Sequence, residues 1–161
     1  MLSGGKYFPD MRQLYHRICA YSAHWIPAET GTDSIDHFLP KTSYPALAYE
    51  WSNYRYVSLR FNQRKGVHAI LDPFTLEPNW FLLDFASFLV QPSPVLLPEQ
   101  EMTVNDTIRI LMLNSDEDLV ESRRAWVECY QEGQCTFGFL ARRAPFIAYE
   151  LKRQGLVAES E

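Results

Sequence analysis

Four polar residues, Asp36, His37, Asn53 and Asn62, lie in stretches otherwise rich in apolar and aromatic side chains. An aspartate and a histidine placed between Ile35 and Phe38 are costly to hold unless both side chains are engaged. The chemistry that these residue types would perform together is phosphodiester hydrolysis. That reaction needs a divalent cation to neutralise the oxygens on phosphorus and a base to deprotonate water. A carboxylate and a carboxamide oxygen suit a hard ion such as Mg2+, and an imidazole is the usual side-chain base near neutral pH. On this reading Asp36 and Asn62 are the metal ligands and His37 is the base. Asn53 fixes the imidazole, directly or through backbone.

The elements around these residues must bring them together. Residues 35–39 read as a short strand stopped by Pro40, and residues 54–59 as a second strand of aromatic and β-branched residues. Adjacent strand residues point to opposite faces, so Asp36 and His37 can share one locus only if the strand twists or bulges there. Residues 62–66 read as a turn entering a short helix, with Asn62 at its start. Residues 10–24 carry Leu14, Ile18 and Tyr21 at helical spacing and predict a helix opened by Asp10. Prolines punctuate residues 71–99, which read as extended segments and a hairpin wrapped over the core. Beyond them the pattern predicts three helices: one capped by Thr103 or Asn105, one opened by the acids after Ser115, and one over residues 136–154 kinked at Pro145.

The composition suits a chain that buries a true core, with 47% hydrophobic and 22% charged residues in 161. It excludes collagen, coiled coil and wholesale disorder. No apolar run reaches the length of a signal peptide core or a membrane span. Three cysteines, Cys19, Cys129 and Cys135, form no C-x-x-C pair, so the expected home is a reducing cytoplasm. The net charge of -5 argues against a free-standing nucleic-acid binder. Between Lys41 and Lys65, however, five cations (Lys41, Arg55, Arg60, Arg64, Lys65) face the single acid Glu50, so the sign is reversed there. This window predicts a nucleic-acid contact. His16, His24 and His68 read as surface or hydrogen-bonded core residues, Asp72 as a turn residue, and Arg123, Arg124, Arg142 and Arg143 as solvated helix faces.

The string Ile35-Asp36-His37-Phe38, Pro40-Lys41, Tyr44-Pro45, Trp51-x-Asn53 and Asn62-x-x-Lys65 resembles the HNH endonucleases, which have a ββα-metal active site. It is most similar to the branch of nuclease subunits paired with ATPases in Septu-type and retron-linked phage defence. Residues 107–114 and Leu119 to Arg123 resemble the C-terminal stretch of that branch.

The resemblance implies an α+β fold: a ββα-metal core with an N-terminal helix over residues 1–70, and an aromatic-rich, mainly helical region over residues 71–161 packed on it as one compact unit. His37 would be the general base and Asn53 its orienting residue. Asp36 and Asn62 would bind Mg2+ or Mn2+, and Lys41 and Lys65 would touch phosphate or brace the fold. The implied function is metal-dependent hydrolysis of DNA, with RNA open, by the effector of an antiphage complex with an ATPase. The alternative is a catalytically inactive HNH-like subunit acting as an interaction module.

Relatives often hold a structural zinc with two C-x-x-C pairs. Cys19-Ala20-Tyr21-Ser22 and Ser58-Leu59-Arg60-Phe61 resemble those pairs with three thiols lost, so structural zinc is expected to be absent. Burial of Tyr21, Trp25, Trp51 and Phe61, at roughly 2–3 kcal/mol each, is expected to replace it.

Overall fold

The computed structural model describes residues 7–157. Within them the chain is mixed α and β, with six α-helices and two small antiparallel sheets. After α1 (Phe8–Leu14) come β1 (Asp33–His37), β2 (Tyr54–Ser58) and α2 (Leu59–Lys65). The hairpin β3 (Phe81–Leu83) and β4 (Val90–Pro92) follows. The remainder is α3 (Pro98–Ile110), α4 (Glu117–Gln131), α5 (Phe137–Arg143) and α6 (Pro145–Arg153).

β1 and β2 pair in a register that sets Asp36 opposite Arg55 and His37 opposite Tyr54. β2 is buried on both faces from Tyr54 to Val57, which explains why its hydrophobic alternation is only partial. The chain passes from β2 into α2 at Ser58, so the helix packs back on both strands. Asn62 therefore lies inside α2 rather than at its start. The connection from β1 to β2 runs over the surface, with single 3-10 turns at Pro45–Leu47 and Trp51–Asn53.

The helix expected over residues 10–24 forms only in its first part, as α1. It stops at Leu14, and His16 and Arg17 then take left-handed φ values of 48° and 62°. That conformation reverses the chain, and Ile18 bridges Trp25 in antiparallel fashion. Leu14 is exposed while Tyr21 is buried, so the apparent helical stripe joined two unrelated elements. Helix α3 starts earlier than expected, where Gln100 Oε1 accepts from Leu97 N at 2.9 Å. The last helix is broken, not merely kinked. Ala144, at φ -142° and ψ 67°, separates α5 from α6 because a residue before proline is pushed out of the helical region.

One buried cluster runs from Met11 to Leu151 and draws on both halves of the chain. Polar ties cross between them. Trp25 N donates to Arg143 O at 2.7 Å, Arg60 Nη1 to Asp116 Oδ2 at 3.0 Å, and Arg64 Nη1 to Leu111 O at 3.2 Å. Among the described residues no helix is long and apolar enough to cross a membrane.

Candidate functional site

His37 ends β1, half-buried, with the Tyr54 ring edge-on at 5.1 Å. Its Nε2 lies 3.0 Å from the Ala48 carbonyl. A carbonyl only accepts, so Nε2 carries the proton, and in the neutral ring Nδ1 keeps its lone pair. No described residue bonds that second nitrogen. Tyr54 also donates its hydroxyl to Ala48 O, at 2.9 Å, which fixes the carbonyl that orients the imidazole.

Asn53 does not touch the ring. Its Oδ1 accepts from Leu39 N at 2.8 Å, and its Nδ2 donates to Leu39 O at 3.0 Å and Leu47 O at 3.2 Å. These bonds pin both ends of the surface connection, including the residue before Ala48. Asn53 is thus a positioning residue whose effect reaches His37 through backbone.

Asp36 faces the other way and is buried. Its Oδ2 accepts from the Tyr21 hydroxyl and lies 3.1 Å from Lys65 Nζ. Burial, together with the charge of Asp36, pushes the Tyr21 hydroxyl well above the ordinary phenol range and keeps it a donor. Lys65 is fully buried and also donates to His37 O at 3.1 Å. One ammonium thus ties the Asp36 side chain to the His37 backbone. Asn62 sits one turn before Lys65 and donates from Nδ2 to Ser34 Oγ at 3.1 Å and Ile35 O at 3.3 Å. Asp36 Oδ1 and Asn62 Oδ1 accept no hydrogen bond from a described residue.

This donor set, one carboxylate and one carboxamide oxygen, suits a hard divalent ion that keeps several waters and takes its remaining ligands from a phosphate. No cluster of three or more His, Cys, Asp and Glu suited to a metal occurs among the described residues. Any ion here would rest on Asp36 and Asn62, with Lys65 as a competing neighbouring cation.

Two of the five cations of the expected basic surface are spent inside the protein. Lys65 is sealed in its ion pair, and Arg55, 3% exposed, donates to Asp72 at 2.9 and 2.6 Å and to the carbonyls of Ser52 and Tyr54. Neither has a face with which to meet phosphate, because an interior guanidinium or ammonium is retained only when paired. Arg60 and Arg64 both bond Asp116, at 3.0 and 2.7 Å. Lys41 remains exposed.

Sequence reasoning missed Tyr21 and Ala48 as parts of the site, and Asp72 as more than a turn residue. A carbonyl's role leaves no mark in a side-chain motif. Arg123 is likewise no solvated face: it is buried and donates to Phe88 O at 3.0 Å and Leu113 O at 2.7 Å. In the corner formed by residues 19–22 and 58–61, Cys19 Sγ accepts from Ser58 N at 3.3 Å. Tyr21 and Phe61 are buried there and Trp25 lies under Arg143 at 3.8 Å, but Trp51 is 44% exposed and belongs to the surface connection.

No protein-family profile matches the sequence. The chain is similar to Septu protein PtuB of Bacillus thuringiensis, with 28% identity over 105 residues. The match takes in 65% of this chain, which spans 40% of that relative's length.

Proposed function

We propose that the chain is an HNH-type, metal-dependent endonuclease subunit acting in cytoplasmic antiphage defence with a protein partner, an ATPase that supplies a nucleic-acid track. The observation that carries the reading is the imidazole of His37, anchored through one nitrogen on Ala48 O while the other stays open. It is next in sequence to Asp36, whose carboxylate turns to the opposite side of β1 and meets Lys65 of α2, three residues after Asn62. The order strand, strand, helix fits a ββα unit, and the similarity to Septu protein PtuB supports the defence context.

In this account His37 Nδ1 takes a proton from the attacking water, and Asn53 and Tyr54 hold the loop that aims it. Asp36 and Asn62 would hold Mg2+ or Mn2+, which when bound stabilises charge on the phosphate oxygens. Lys65 neutralises Asp36 and clamps the end of β1 from within. The acidic balance of the chain and the burial of Arg55 and Lys65 support the need for a partner to hold DNA.

Incubation of plasmid with the chain, alone and with its ATPase partner, in Mg2+ or Mn2+, tests the reading. Cutting that His37→Ala abolishes is expected. No cutting under any of these conditions favours a second reading, a non-catalytic interaction subunit. The observation behind it is the Lys65 ammonium already resting on the carboxylate that an ion would need.

A further inference from the structure

We propose that the surface connection between β1 and β2 is a base-stacking platform, which makes single-stranded nucleic acid the substrate class of the site. This rests on the nuclease reading and adds strandedness to it.

The first ground is electrostatic. Gripping a duplex requires several phosphate contacts. Four of the five cations near the site have an acidic partner: Arg55 and Lys65 inside the protein, Arg64 on Asp116, and Arg60, its side chain 44% exposed, on the same Asp116 at the other end of the unit's helix. Lys41 is left, and the exposed Glu50 on the same connection offsets it. The connection offers almost no net charge.

The second ground is the surface it does offer. Tyr44 is 47% exposed, Tyr49 74% and Trp51 44%, all within eight residues of chain. They flank Ala48, whose carbonyl orients His37. Tyr49 is the next residue, so its Cα is only about 3.8 Å from that of Ala48. Aromatic faces and the base are therefore carried on one short stretch.

The third ground is rigidity. Asn53 pins the connection at Leu39 and Leu47, Tyr54 holds Ala48 O, and Tyr7 meets the Trp51 ring edge-on at 5.5 Å. Exposed aromatics on a braced loop lose little freedom when they stack. Each unpaired base presents a π-face, whereas a duplex hides its bases and shows phosphate. The platform selects strands whose bases are free.

The test is fluorescence anisotropy with labelled 15-nucleotide DNA, RNA of the same sequence, and the DNA duplex, in EDTA so that nothing is cut. Either single strand should bind at least about tenfold tighter than duplex. Tyr49→Ala should weaken single-strand binding about fivefold or more, the low end for one stacked base, and Tyr49→Phe should restore it. The slope of log affinity against log salt should lie near -0.7 to -1.4, that of about one or two phosphates on a single strand. Thermal melts verify that the variants are folded. Duplex binding as tight as single-strand binding, or affinity unmoved by both Tyr44→Ala and Tyr49→Ala, overturns the inference; the second result would assign these aromatics to a protein contact.

Cleavage is scored separately. His37-dependent cutting with no response to Tyr49→Ala rejects the platform alone. Tyr49-dependent binding without cutting rejects the nuclease reading alone.

Discussion

The helical half and the strand-helix unit both bury charge, but they finish it differently. In the helical half each buried ion is closed off by backbone or by a neighbour. Arg123 spends its guanidinium on two carbonyls, and Glu150 accepts from Leu83 N and from Arg153 at 2.6 and 2.8 Å. In the strand-helix unit Asp36, His37 and Asn62 are each anchored through one atom and left open at another. Asp36 is buried while His37 and Asn62 are half-buried, so the open atoms lie within reach of solvent and of any ligand that displaces it. The contrast is between polar groups closed off by the fold and polar groups left with an open atom.

The largest effect should come from Lys65, which belongs structurally to the site. Lys65→Met leaves Asp36 buried with only Tyr21, and about 4 kcal/mol of stability should be lost in urea unfolding. A loss below about 1 kcal/mol would mean that Lys65 is free to touch phosphate, one of the two roles that the resemblance implied, rather than to brace the fold. In the helical half, Arg123→Met strands Phe88 O and Leu113 O and should cost about 3 kcal/mol. Burial pulls the Arg123 guanidinium down to about 10, which still leaves it charged at neutral pH.

His24 tests the contrast from outside the site. It is buried, its Nδ1 bonds Ser22 O at 2.8 Å, and its Nε2 has no partner. Burial lowers its pKa from 6.5 to about 4. Because the folded value lies below the unfolded one, the unfolded chain takes up the proton first as pH falls. Stability should therefore be complete above about pH 6.5 and decline by roughly 3 kcal/mol on the way down to about pH 4. Urea unfolding across that range, with His24→Phe as the variant that flattens the decline, measures it.

The smallest effect is expected at His37. His37→Ala removes one hydrogen bond to a carbonyl that Tyr54 still serves, so stability should fall by no more than about 1 kcal/mol. A much larger loss would make His37 a structural residue like Arg123, and the contrast would fail.

The strands were legible because Tyr54, Tyr56 and Val57 suit a pleated buried surface and Pro40 ends the run before them. The reversal at His16 and Arg17 was not, since neither residue is one that announces a left-handed turn. The spacing of Asp36, Asn62 and Lys65 could be read, but which of them pair could not. Lys65 meets Asp36 only because α2 folds back across β1, and Arg55 is drawn inside by Asp72 from a distant turn. Charge counted along the chain therefore overstated charge on the surface. Pro145 could be read as a break, and Ala144 shows how completely it acts.

The most direct measurement of the central claim is Mn2+ binding, followed by electron paramagnetic resonance in the presence of a phosphorothioate oligonucleotide that resists cutting. The open oxygens of Asp36 and Asn62 predict a bound Mn2+ signal in the wild type that Asn62→Ala removes while the protein stays folded. No bound ion in the wild type, or the same signal after that substitution, would contradict the account.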